Sequence, residues 1–258
     1  MPNVTLLRNP TRFPGGITNN LPTDPLANMP QPDPSIGSYL WLDQSFDWAD
    51  ASATTPVGWT VTAVGVTPTR ASPEVANMFG ALTITNTAAD NDSCFVQSKG
   101  HVAVADATKR LMFACRVAMS NATQADVIMG LTATDTTPVG GVATEETGVS
   151  DGMYFLKIDD ATDWRFVVRS GSVTISYPLT LGTVTASTPD TLAFDYNPAN
   201  KECALFVNGV KVRTVSVTTF PAVVMYLQMG IQNGDAVARA LQVDWVASYQ
   251  ERNALTAP

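Results

Sequence analysis

From residue 59 onward, apolar and polar positions alternate with period two in short runs separated by turn residues. Such runs mark strands with one face turned to a core. They are "WTVTAVGVT" (59–67), "ALTITN" (81–86), "SCFVQS" (93–98), "RLMFACRVAM" (110–119) and "DVIMGLTAT" (126–134). Then follow "GMYFLKID" (152–159), "WRFVVRS" (164–170), "SVTISYP" (172–178), "TLAFDYN" (191–197) and "CALFVN" (203–208). "VKVRTVSV" (210–217), "VVMYLQMGIQ" (223–232) and "LQVDWVASY" (241–249) complete the series, and "YLWLD" (39–43) adds an edge strand. Abundant valine and threonine favour pleated surfaces over helix. Only "PEVANMF" (73–79) has a helical look, enough for one short turn. This many strands at this spacing predict an all-β fold of two packed antiparallel sheets over residues 39–258.

The sharpest local signal is "CALFVNGVKVRTV". Asn208-Gly209 lies between two alternating runs and takes readily the positive φ angles of a type I′ hairpin turn. Cys203, Leu205 and Val207 share one face of the first strand, with Ala204 and Phe206 on the other. Because both faces are apolar, the hairpin is expected in the centre of the sandwich.

Residues 1–38 break the pattern. They hold eight of the 17 prolines, from Pro2 to Pro34. Proline fixes φ near −65° and pushes the preceding residue to extended geometry, so this segment predicts an extended arm with little regular structure. Leu6, Leu7, Phe13, Ile17, Leu21, Leu26 and Met29 are spaced along it like anchors for separate pockets on other chains.

Charge narrows the partners. The chain carries 15 basic and 23 acidic residues, a net charge of −8. The arm is neutral, with Arg8 and Arg12 against Asp24 and Asp33, so the excess sits on the body. No lysine or arginine cluster is available to replace phosphate counterions, which argues against direct nucleic-acid binding. No apolar run approaches the roughly 18 residues of a membrane span. The N-terminus also lacks the pattern of a secretory signal, so synthesis in a cytoplasm is expected. Three dispersed cysteines, Cys94, Cys115 and Cys203, read as buried reduced thiols.

Two stretches carry a family resemblance. "SFDWADASATTPVGWTVT" followed by "LTITN", and later "TLAFDYNPANKECALFVNGVKV", resemble concanavalin A-like lectin/glucanase sandwiches. The resemblance covers roughly residues 41 to 250 and implies a concanavalin-like jelly roll. That fold serves lectins, glycosidases and structural virion proteins alike, so function must come from a site.

Chemistry is sparse. Glucanases of this fold alternate two glutamates and an aspartate on one strand, and retaining hydrolysis needs two carboxyls roughly 5–5.5 Å apart. The five glutamates here are Glu74, Glu145, Glu146, Glu202 and Glu251, and none forms that pattern. His101 is the one histidine and has no nucleophile context around it. "AADNDS" (88–93) and "IDDATD" (158–163) cluster oxygen ligands, yet Asp and Asn also make ordinary turns. Trp59, Trp164 and Trp245 fall within strands and read as core, while Trp41 and Trp48 flank the arm junction. No catalytic residue, cofactor or metal site is predicted, and the chain is expected not to be an enzyme.

In organisation, a Val/Thr-rich sandwich with a long Pro-rich arm resembles tailed-bacteriophage capsid decoration (cement) proteins. That resemblance implies a virion structural protein on the outer capsid surface, with the major capsid protein as partner and a homo-oligomer such as a trimer as its form. The alternative is a carbohydrate-binding module of a head fibre or tail component. It would expose an aromatic cluster on the concave sheet face.

Overall fold

The computed structural model describes residues 38–43, 58–65, 69–70, 78, 81–136, 138–139, 148–177 and 180–251. Among them the regular structure is entirely strand, in two antiparallel sheets. The arm anchors Leu6, Leu7, Phe13, Ile17, Leu21, Leu26 and Met29 lie outside the described residues, as does most of the short helical turn expected at 73–79.

The eight-stranded sheet runs in the order β13 (Val210–Ser216), β12 (Glu202–Val207), β11 (Asp190–Asn197), β6 (Leu111–Met119), β15 (Ala240–Glu251), β4 (Leu82–Thr85), β3 (Thr69–Arg70). β1 (Ser38–Asp43) pairs with the second half of β15, beyond the part that pairs with β4. The seven-stranded sheet runs β10 (Val173–Ser176), β9 (Arg165–Ser170), β8 (Gly152–Lys157), β7 (Ala125–Thr132), β14 (Met225–Asn233), β5 (Ser93–Ala103), β2 (Trp59–Val64). Every run expected to be a strand forms one, and "YLWLD" supplies the expected extra strand. The two-residue β3 is an addition, too short for periodicity to reveal.

Alternation decides which side chains meet between the sheets. Leu111, Phe113, Cys115, Val117 and Met119 of β6 point inward, against Val127, Met129 and Leu131 of β7 and their neighbours. At the centre Phe113 stacks on Phe194 at 5.6 Å, and Phe166 approaches Phe194 at 5.3 Å and Phe155 at 5.3 Å. Such ring pairs add about 0.5–1.5 kcal/mol each beyond their area burial. All three cysteines are free and buried in this core, and burial pushes the Cys94 thiol up to about 12. They pack as small apolar groups rather than reactive thiols.

The hairpin forms as its turn chemistry requires, with Asn208 at φ +51° and Gly209 at φ +76°. Its inner face is also as expected, because Cys203, Leu205 and Val207 enter the core. Its place is not central. β13 is an edge strand and is mostly exposed, with Val210 64% exposed. The reason is on the second strand: Lys211 and Arg213 and a register shift opposite Leu205/Phe206 suit an edge that must not recruit another strand. Phe206, the apolar residue on the other face, is only partly buried.

The turn is tied to the core by one polar chain. Asn208 Oδ1 accepts Thr191 N–H at 2.8 Å, and Asn208 Nδ2 donates to Asp190 Oδ1 at 2.9 Å. Asp190 Oδ2 accepts the indole N–H of the fully buried Trp164 at 2.9 Å. Asn208→Ala removes two hydrogen bonds and leaves a β-carbon residue at positive φ. Chemical unfolding should show a loss of about 1–3 kcal/mol. Asn208→Gly should lose less, because glycine accepts the angle without strain.

Candidate functional site

The outward face of the seven-stranded sheet is laid out by strand register. Register lines up Thr60, Gln97, Gln228, Gly130, Tyr154 and Val167 across β2, β5, β14, β7, β8 and β9. The next line holds Thr62, Phe95, Gly230, Ile128 and Leu156. Two glycines make room for two rings. A β-carbon on Gly230 would stand 2.5 Å from Phe95 Cδ1, and one on Gly130 would stand 2.5 Å from Tyr154 Cα. Both contacts are too close, so these positions need glycine for the sheet to keep its shape.

Part of this face is sealed. Val139 and Val149 pack on Phe95, Ile128, Tyr154, Leu156 and Val167. Next to these two valines in sequence, Gly148 N–H donates to Pro138 O at 3.4 Å. At the edge of the seal Gln97 Nε2 donates to Ala133 O at 2.9 Å and to Thr132 Oγ1 at 3.3 Å. Beside it, Gln228 is fully buried, and neither atom of its amide has a partner among the described residues. Toward β2 and β5 the face opens: Thr60 and His101 are exposed and Tyr226 is half-buried. His101 and Tyr226 meet edge-on at 6.5 Å.

Among the described residues, the exposed aromatic cluster expected of a sugar binder does not form on this face. Phe95 and Tyr154 lie on this face but are buried. Trp59 and Trp164 are core, as expected, whereas Trp245 is half-buried on the outward face of the other sheet. Trp48 and the side chain of Trp41 lie outside the described residues. Period two already places Gln228, Gly230 and Gln232 on one face of "YLQMGIQ", but only the pairing with β5 and β7 reveals Gln97 beside Gln228 and glycines under the rings.

Carboxylate chemistry does not assemble here. Among the described residues, Asp126 is the one carboxylate at an outward strand position of this sheet. Glu145 and Glu146 lie outside the described residues. Asp126 accepts Asp159 N–H at 2.8 Å. Near it the buried Lys157 donates from Nζ to Thr123 O and, at 2.6 Å, to Ala125 O. Burial pushes Asp126 up to about 6, and it pushes Lys157 down to about 8. Perturbed pairs of this kind can mark active sites. Here the ammonium is spent on backbone carbonyls at the end of β7, which is a structural use.

The two Asp-rich stretches are turns. In "AADNDS" the buried Asn86 donates to Asp92 O at 2.8 Å and to Asn233 Oδ1 at 3.1 Å, while Asn233 donates to Thr87 O at 2.7 Å and Ala89 O at 2.9 Å. In "IDDATD", Asp163 Oδ2 pairs with Arg165 Nε at 3.3 Å and accepts Thr180 N–H at 3.1 Å. Among the described residues no three His, Cys, Asp or Glu side chains converge as metal ligands. No described helix is long and apolar enough to cross a membrane.

This architecture is that of the concanavalin A-like lectin/glucanase sandwiches. The Emp47p carbohydrate recognition domain matches with a TM-score of 0.56 at 14% identity, covering 84% of this chain and 96% of that one. Peanut lectin matches at 0.57 with 12% identity, covering 83% and 97%. The β-glucanase of Bacillus licheniformis matches at 0.54 with 16% identity, covering 84% and 99%. The likeness is one of fold, and the fold serves recognition in some of these proteins and hydrolysis in another. No protein-family model and no curated protein matches the sequence.

The Asp126–Lys157 pair makes a pH test. Asp126 is raised on folding, so its contribution to stability is largest below about 4 and is lost as pH rises through about 6. Lys157 is lowered, so its contribution is present above its ordinary range and is lost as pH falls through about 8. Both groups are charged at a cost between those values. Asp126→Asn keeps an oxygen for Asp159 N–H and removes the charge. Thermal melts should show the variant more stable by roughly 1–3 kcal/mol near pH 7, with the slope between pH 4 and 6 gone.

Proposed function

We propose that this chain is a non-enzymatic carbohydrate-recognition module that binds neutral glycan on the outward face of the seven-stranded sheet. The observation that carries the reading is the open end of this face, where Thr60 and His101 are exposed, Tyr226 is half-buried and His101 meets Tyr226 edge-on at 6.5 Å. Hydroxyls and an imidazole both donate and accept, which suits vicinal sugar hydroxyls. Hydrolysis has less support, because a carboxylate pair is missing from this face among the described residues.

The test removes the exposed groups. Thr60→Ala with Tyr226→Ala should weaken binding roughly tenfold to whichever neutral polysaccharide retards the full chain in affinity electrophoresis. Binding by the full chain should persist in EDTA. Unchanged binding by this variant would move the glycan site elsewhere. Gln228→Met, by contrast, should raise the melting temperature by roughly a few degrees, since it removes an unpaired buried amide.

A second reading, a capsid decoration protein on a virion surface, draws on the proline density and apolar anchors of residues 1–38. In that reading the arm adds a tethered second attachment to the major capsid protein, which can raise avidity by roughly 10²–10⁴. The chain should then co-sediment with expanded capsids. It should also raise the temperature at which they release DNA, and Phe13→Ser with Leu21→Ser should reverse both effects. A chain that leaves capsids unprotected and retains glycan binding would end this reading.

A further inference from the structure

Two Asn-Gly pairs occur in the chain, Asn208-Gly209 and Asn233-Gly234. A glycine leaves its own backbone nitrogen unshielded, so that nitrogen can reach the amide carbon of an asparagine before it. The fold treats the two pairs in opposite ways. Asn208 is exposed at the tip of the β12–β13 hairpin. Gly209 N–H has no hydrogen-bond partner among the described residues, and a β-carbon on Gly209 would meet nothing within 4 Å. Asn233 is fully buried, and its amide is held at both ends. Its Nδ2 donates to Thr87 O and Ala89 O, and its Oδ1 accepts from Asn86 Nδ2. Gly234 N–H is itself engaged, donating to Gln124 O at 3.3 Å, and a β-carbon on Gly234 would collide with the Asp159 carboxylate.

We propose that Asn208 is a site of spontaneous modification: it deamidates in the folded chain, and the product unfastens the hairpin from the core. The reaction needs only water. Gly209 N gives up its proton to solvent and attacks Asn208 Cγ. The Cγ–Nδ2 bond breaks, the nitrogen leaves as ammonia, and a five-membered succinimide remains. Water then opens either ring carbonyl, leaving a carboxylate on a normal backbone or on one lengthened through the β-carbon. One water enters and one ammonia departs. To react, an asparagine must swing its Cγ toward the next nitrogen and leave its partners. For Asn208 these are two bonds at the hairpin tip, with Thr191 N–H and Asp190 Oδ1. For Asn233 they are buried bonds, lost only when the strands around it open. The consequence follows from the same contacts. A new carboxylate at 208 puts an oxygen where Nδ2 now donates to Asp190 Oδ1 at 2.9 Å, and two like charges then face each other. Asp190 holds the indole N–H of Trp164 with its other oxygen, so the repulsion reaches the core. A lengthened backbone also breaks the two-residue turn that sets Val207 opposite Val210. This inference is independent of the glycan reading.

Ageing the full chain in mildly alkaline buffer, followed by peptide mapping with mass spectrometry, tests the site. Peptides containing Asn208 should acquire the amide-to-acid mass change roughly tenfold faster than those containing Asn233, since reaction follows the population of the opened conformation. In denaturant, where neither pair is held, the two rates should converge. Equal rates in the folded chain, or a faster Asn233, overturn the assignment. A difference that persists in denaturant also overturns it, because its cause would then lie in the neighbouring sequence. Asn208→Asp should lower the melting temperature by several degrees, and aged chain separated by ion exchange should show the same drop. Unchanged melting of the aged chain overturns the unfastening. If Asn208→Asp fails to fold, the aged chain decides alone.

Discussion

The contact of Phe113 and Phe194 from one sheet with Phe155 and Phe166 from the other is the constraint on which the remaining structure depends. Rings at 5–6 Å interdigitate in the layer between two sheets, which pack about 10 Å apart. Once those inward positions are set, alternation fixes every other side chain on β6, β8, β9 and β11. A slip of one residue in any of these strands would exchange its core and surface faces. Removing one ring would cost on the order of 3–5 kcal/mol. Both outward faces inherit their residue lines from this one registration.

Those two faces put the inheritance to different uses. The seven-stranded sheet turns out amides, glycines and buried rings, a surface that is polar at Gln97 and Gln228 and apolar under Val139 and Val149. The eight-stranded sheet turns out small alanines between aromatic walls. A sheet facing water alone would alternate apolar-in with polar-out. Neither face here does so, and each departure points to something that covers or contacts it.

Period two alone was enough to read the thirteen runs and the Asn208-Gly209 turn, because both are local. The place of the hairpin was not legible. Apolar residues on both faces of "CALFVN" look central, but Phe206 is only partly buried on the outward face and β13 is polar enough to close an edge. The same limit hid the candidate glycan surface. His101 and Tyr226 stand more than a hundred residues apart and become neighbours only through the β5–β14 pairing. The turn chemistry of "AADNDS" was visible as a composition, whereas its closure by Asn233 from across the chain was not.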